Sequence, residues 1–229
     1  MAEINISGTD IVGAARKAGR RLEDDLSLDE GFRSLADQAR ILAYYMTLLS
    51  KWNKSMNLVG PRKWTEVFHS LIIDSLHLAD FLNALDLPKA PVTLDLGAGA
   101  GLPGIPLRTV WQQGDYYLVE SRQKRSIFMR TALRMMQLPR TEVIQGRAEK
   151  IPQEILPADL ILSKAFMPWK ELLPFVQPML AKKGRIIILS NNCAPDESEV
   201  LPLGYNLEIS REYKAGDKKH YFWSLLPAS

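Results

Sequence analysis

The sequence predicts an α/β protein built on a parallel sheet covered on both faces, with a helical segment ahead of it and an antiparallel strand pair at its end. Three observations carry that prediction. The stretch Val92 to Pro106, VTLDLGAGAGLPGIP, passes from a short run of strand formers into four glycines (Gly97, Gly99, Gly101, Gly104) and then into helical spacing. From there to Leu189, short apolar runs alternate with amphipathic segments, the order of a parallel sheet wrapped by helices. After Tyr205 two strand-like runs follow each other across a polar break, the pattern of an antiparallel pair.

Taken in order, residues Thr9 to Asp24 read as a helix with Thr9 or Asp10 as N-cap and a basic side of Arg16, Lys17, Arg20 and Arg21. From Asp29 to Asn57 the residues Phe32, Leu35, Ala39, Leu42, Met46, Leu49 and Met56 recur at three and four spacing, a long amphipathic helix whose stripe Asn53 interrupts. Gly60-Pro61 breaks the chain before a helix from Glu66 to Leu85, which carries His69, Asp74, His77 and Asp80 among apolar residues. His69 and His77 do not have the His-x-x-x-His spacing of a helical zinc site, so no metal is expected. Beyond the glycine turn come a helix to about Trp111, a strand at Tyr116 to Glu120, a helix at Arg122 to Leu138 and a strand at Glu142 to Gln145. A fourth strand at Asp159 to Leu162, a helix through Lys170 to Leu180, a turn at Lys182-Lys183-Gly184 and a fifth strand at Arg185 to Leu189 follow. Tyr205 to Tyr213 and Tyr221 to Leu226 form the final pair, joined by Lys214 to His220. The expected division is a helical extension over 1–88 and a sheet domain over 89–229.

Composition bounds the function classes. A chain of 229 residues with net charge +3 does not announce nucleic-acid binding by charge alone, yet Ser121 to Lys150 holds eight Lys or Arg against two acids. One cysteine, Cys193, excludes an intramolecular disulfide framework and a cysteine-based metal site, and it fits a reducing, cytoplasmic setting. No run reaches the roughly 18 apolar residues of a membrane span, and no membrane association is expected.

Strand, glycine turn and helix together make a nucleotide-type pocket, because glycine backbone can turn with positive φ and approach a ligand closely. Gly99, Gly101 and Gly104 match the dinucleotide spacing G-x-G-x-x-G, with Glu120 at the end of the next strand as the ribose partner. That match starts two residues late, and Pro103 and Pro106 stand at the helix entry where amide donors would face a pyrophosphate. Asp95 just before the turn suits a cationic ligand better than a phosphate. These features favour S-adenosyl-L-methionine, which carries a sulfonium and no phosphate, over a dinucleotide; Glu120 serves either ligand's ribose.

LDLGAGAGLPGIPL followed by LVES, QKRSIFMR, QGRAE and LSKAF resembles the RsmG (GidB) family of small-subunit ribosomal RNA methyltransferases. LLSKWNKSMNLV and HSLIIDSLHLADFL resemble that family's stretches ahead of the sheet, so the resemblance spans about Leu42 to Leu189. It implies a Rossmann-like S-adenosylmethionine-dependent methyltransferase fold with an N-terminal helical extension, acting on guanine N7 of 16S rRNA. By the resemblance Gly97, Gly99, Gly101 and Pro103 wall the donor, Glu120 takes its ribose, and Arg147, Ala148 and Glu149 line the adenine; Asp95 joins the donor site on its charge alone. Lys164 is the catalytic position facing the acceptor, and Asn57, His69 and Asp74 shape that side. Arg130 and Arg134 on the basic helix, with the Arg16 to Arg21 cluster, are the candidates for rRNA phosphate contact. The expected partner is small-subunit rRNA or a ribosomal assembly intermediate, met by a monomer.

The sequence departs from the family pattern at four places: Lys164 stands for Arg, Asn57-Leu58-Val59 for Asn-Leu-Thr, Leu189-Ser190-Asn191 for Leu-Lys-Gly, and Lys219-His220 for Arg-His. Ser163-Lys164-Ala165-Phe166 differs from the Asn/Asp-Pro-Pro-Phe/Tyr run of exocyclic-amine methyltransferases, and Cys193 lies far from the position a cytosine C5 nucleophile needs. Two other readings stay open at this point: a methyltransferase acting on another RNA or a small molecule, and a donor-binding, RNA-associated protein without turnover.

Overall fold

The computed structural model describes residues 5–20 and 35–228; Arg21, Asp24, Asp29 and Phe32 lie outside them. Helix α1 (Gly8–Lys17) is capped by Ser7, two to three residues earlier than Thr9 or Asp10 would set it. The Ser7 hydroxyl accepts the Asp10 amide at 3.2 Å while the Asp10 carboxylate accepts the Ser7 amide at 2.9 Å, a capping box that satisfies two otherwise orphaned donors. Helix α2 (Leu35–Met56) keeps Ala39, Leu42, Met46, Leu49 and Met56 on the core. Asn53 interrupts that stripe because it works as a clamp: its amide donates to the Pro61 carbonyl at 3.2 Å and its carbonyl accepts the Val59 amide at 2.9 Å.

The helix expected over Glu66 to Leu85 is three pieces: α3 (Trp64–Val67), a π turn at Phe68–Ile72 and α4 (Ile73–Asn83). A π turn inserts one extra residue per hydrogen-bonded ring and rotates everything after it, so it resets which α4 side chains face the sheet. Asp74 and Ser75 are buried as a result.

Seven strands form one sheet: β1 (Val92–Leu96), β2 (Asp115–Glu120), β3 (Thr141–Gln145), β4 (Ala158–Lys164), β5 (Leu180–Ser190), β6 (Tyr205–Ala215) and β7 (Lys218–Pro227). Their order is β3-β2-β1-β4-β5-β7-β6; β1 to β5 are parallel, and β7 runs antiparallel between β5 and β6. Alternation along each strand splits the core. Leu160, Leu162, Ile187 and Leu189 face the layer of α2, α4, α5 (Gly104–Val110) and α6 (Gln123–Met136). Ile161, Ile186 and Ile188 face Leu172, Leu173 and Val176 of α7 (Trp169–Val176). The N-terminal helices thus share a core with the sheet's own helices rather than enclosing a separate one.

Three local expectations shift. The helix over Lys170 to Leu180 stops at Val176 and tightens into a 3-10 turn at Gln177–Met179, where Pro178 has no amide to continue it. Lys182, Lys183 and Gly184 are not a turn before β5 but lie within it, at an irregularity where pairing steps from Ala158↔Leu180 to Leu160↔Arg185. The final hairpin is longer than its apolar runs, with Ala215 paired to Lys218 around Gly216 and Asp217.

Candidate active site

Because strand order reverses between β1 and β4, a crevice opens at the carboxyl ends of the strands there, the usual binding position in wound sheets. A cleft of about 390 Å³ lies in that region. Gly97 after β1, Glu120 at the end of β2 and Arg122 beyond it, Gly146, Arg147, Ala148 and Glu149 after β3, and Ala165 and Phe166 after β4 line it. Gly97 has φ +69°, and a Cβ there would come within 2.7 Å of the Phe166 ring, so both its conformation and its neighbour require glycine.

Glu120 is held by two backbone amides, Gly99 N to Oε2 at 3.0 Å and Arg122 N to Oε1 at 2.8 Å, with the Arg125 guanidinium at 3.9 Å. Its two oxygens are therefore pre-aimed, a suitable acceptor for a pair of hydroxyls. Gly97, Glu120, Arg147, Ala148 and Glu149 come together on one cleft. Gly99 joins them through its bond to Glu120, whereas Gly101 and Pro103 continue the turn away from the cleft lining.

Asp95 sits beneath the turn. It is buried, accepts the Tyr116 hydroxyl at 3.1 Å, and lies so close to Gly104 that a Cβ there would stand 2.5 Å from its Oδ2. Burial pushes its pKa up to about 7, against the hydrogen bonds of Tyr116 and the Gly104 amide and the charge of Lys164, which pull it down. The turn is also held from above by the helical layer: Tyr45 of α2 donates to the Ala100 carbonyl at 2.8 Å, and Ser75 of α4 to the Pro103 carbonyl at 2.9 Å.

On the other side of β4 the chain changes direction at Ala165, a non-glycine residue at φ +54°. Left-handed backbone at such a residue is costly and concentrates at functional sites. Here it separates two neighbours: Phe166 enters the cleft, and Lys164 pairs with Asp74 of α4. The Asp74 carboxylate is 2% exposed, and its second oxygen accepts the Tyr213 hydroxyl at 3.0 Å. Lys164 and Asp74 are thus brought together.

His69 lies half-buried in the π turn, edge-on to Phe68, and Asn57 is exposed at φ +49° with its carbonyl accepting Arg62 Nη2 at 2.7 Å. Arg130 and Arg134 are exposed on α6, where Arg130 Nη1 reaches Gln145 Oε1 at 3.5 Å. Arg20 turns inward instead of outward: it pairs with Asp80 and donates to the Leu76 carbonyl at 3.2 Å.

Tyr45, Ser75, Tyr116, Phe166 and Tyr213 are the site's supporting residues that sequence reasoning passes over. For Phe166 a signal exists, an aromatic two residues beyond a polar strand end. The others reach the site across 21 to 139 residues of chain, which no local pattern records.

The fold and the cleft define a Rossmann-like, S-adenosylmethionine-dependent methyltransferase. A crystal structure of a SAM-dependent methyltransferase from Aquifex aeolicus has the same fold, with a TM-score of 0.53 and 16% identity, covering 76% of this chain and 97% of that one. Residues 38–217 match the model of the GidB family, rRNA small subunit methyltransferase G, and the chain belongs to that family. The ribosomal RNA small subunit methyltransferase G of Nitratidesulfovibrio vulgaris (strain DP4) is 50% identical over 199 residues, 87% of this chain and 90% of that protein. The protein of the same name from Lawsonia intracellularis (strain PHE/MN1-00) is 44% identical over 205 residues, 88% and 93% respectively.

Proposed function

We propose that this protein transfers a methyl group from S-adenosylmethionine to N7 of a guanine in 16S rRNA, as a cytoplasmic monomer acting on small-subunit rRNA or an assembly intermediate. The observation that carries the reading is the two-sided end of β4, with the glycine-floored cleft and Glu120 on one side and the Lys164–Asp74 pair on the other.

The donor fits the residues present. Glu120 offers an oriented carboxylate to ribose hydroxyls, Gly97 leaves backbone uncovered where a side chain would intrude, and Arg147 to Glu149 supply a wall for adenine. When bound, S-adenosylmethionine supplies an electrophilic methyl carbon. The chain's residues then bind, orient and exclude water. Guanine N7 has an unprotonated lone pair in the base's major-groove edge, so the site needs no general base. Orienting reactants in this way is worth up to about 7–11 kcal/mol of the barrier. Lys164 holds a cation at the acceptor side, suited to the guanine O6 edge or a phosphate, with no proton to move. Arg130 and Arg134 meet rRNA phosphates, and Asn57 and His69 border the acceptor.

S-adenosylhomocysteine release tests the reading. Small subunits from cells lacking the mark should elicit stoichiometric product, and fully marked subunits none. Tight donor binding with no product from unmarked subunits would replace this reading with that of a donor-binding module.

A further inference from the structure

The Lys164–Asp74 pair has a third member, contributed by the terminal hairpin. Tyr213 lies on β6, directly across from His220 of β7 in the register. Its ring is fixed on three sides: Phe222 stacks on it at 4.2 Å with 14° between planes, His220 stacks at 5.6 Å, and His77 of α4 tilts against it at 5.0 Å. A phenylalanine would fill that slot equally well. The hydroxyl is the part that packing does not explain, and it ends 3.0 Å from Asp74 Oδ1. Burial and the Asp74 charge raise the Tyr213 pKa far above its ordinary value, so the hydroxyl keeps its proton and donates.

We propose that Tyr213 is a positioning residue for methyl transfer: by donating to Oδ1 of Asp74 it fixes the carboxylate whose Oδ2 holds the Lys164 ammonium at the acceptor side. The two Asp74 oxygens are each engaged once, one by the hairpin and one by β4. Asp74 is itself buried in α4, so a carboxylate with only one partner would rotate about its terminal torsion and carry Lys164 with it. Of the three residues Lys164 is the one open to solvent, its side chain 26% exposed against 2% for Asp74. The hairpin thereby sets the position of a cation that it does not touch. This rests on the reading that Lys164 faces the acceptor.

The test compares wild-type protein with Tyr213→Phe, which keeps the ring stack and removes only the hydroxyl. Steady-state methylation of unmarked small subunits should show kcat lowered about tenfold, the scale of one hydrogen bond to a charged group. Donor affinity by calorimetry should be unchanged, because Glu120 and its amides are untouched. In protein carrying 13C-labelled lysine, the Lys164 Cε–Hε cross-peak, assigned with Lys164→Arg, should move and broaden in Tyr213→Phe. A Tyr213→Phe protein with kcat within about twofold of wild type and an unmoved cross-peak would overturn the proposal and leave Tyr213 a packing residue. If Lys164→Ala keeps wild-type kcat, the proposal falls through the reading beneath it; that failure is recognised because the cross-peak still moves in Tyr213→Phe.

Discussion

Replacing Asp95 with asparagine should make the protein's stability depend on pH in a different way from wild type. Asp95 is buried beneath the glycine turn, and its carboxyl has a folded-state pKa of about 7 against an ordinary 3.8. For an acid raised in this way, the folded state holds a proton that the unfolded chain has already released. The stabilisation is fully present below the unfolded pKa and is lost as pH rises through about 7. About three pKa units at 1.36 kcal/mol each make the differential on the order of 4 kcal/mol. Asparagine offers one carbonyl oxygen to the same donors, the Tyr116 hydroxyl and the Gly104 amide, and never ionises. Urea unfolding of both proteins from pH 4 to pH 8.5 isolates the effect, because the other titrating groups cancel in the difference. Wild-type stability minus that of Asp95→Asn should fall from pH 4 to about pH 7 and level off above it. A difference that stays flat, or that widens with pH, would refute the assignment of a largely protonated carboxyl under the turn.

Other variants address the remaining parts. Glu120→Gln removes the charge and one of two acceptor oxygens now held by Gly99 and Arg122, so donor affinity measured by calorimetry should weaken roughly ten- to hundredfold. Reversing charge at Arg130 and Arg134 should weaken small-subunit RNA binding and flatten its salt dependence by about one unit of slope per lost contact, with donor affinity unchanged. His77 has its pKa lowered by burial and by the Arg20 guanidinium, against the opposing charges of Asp80 and Asp74. Its contribution to stability is present above the ordinary histidine pKa and is lost as pH falls below it, so His77→Gln should unfold with a flatter profile between about pH 7 and pH 5.

Much of the sheet could be read from residues because its signals are local. The β1 turn, the acid at the end of β2 and the alternating segments each lie within a few positions of the feature they specify. The site's second layer is different. Tyr45, Ser75 and Tyr213 act through hydroxyls that meet their partners only after the helical layer and the hairpin have docked, and tyrosine and serine at those positions look like ordinary helix and strand residues. The π turn at Phe68–Ile72 also has no local signature, since Phe, His, Ser, Leu and Ile suit an α-helix equally well. The Ser7 cap was legible in principle, as a serine with an acid three residues on, and was obscured by Thr9 and Asp10 beside it. Lys182 and Lys183 read as a turn by charge, yet a strand at an irregular pairing tolerates lysines on its solvent face.

The central claim is tested most directly by incubating this protein with small subunits from cells lacking the corresponding activity and labelled S-adenosylmethionine, then cleaving the rRNA chemically at N7-methylguanine. One cleavage site in the small-subunit rRNA, coincident with the incorporated label, is the predicted result. Donor bound at full stoichiometry with no label in the RNA, or label at an RNA position resistant to that cleavage, would contradict it.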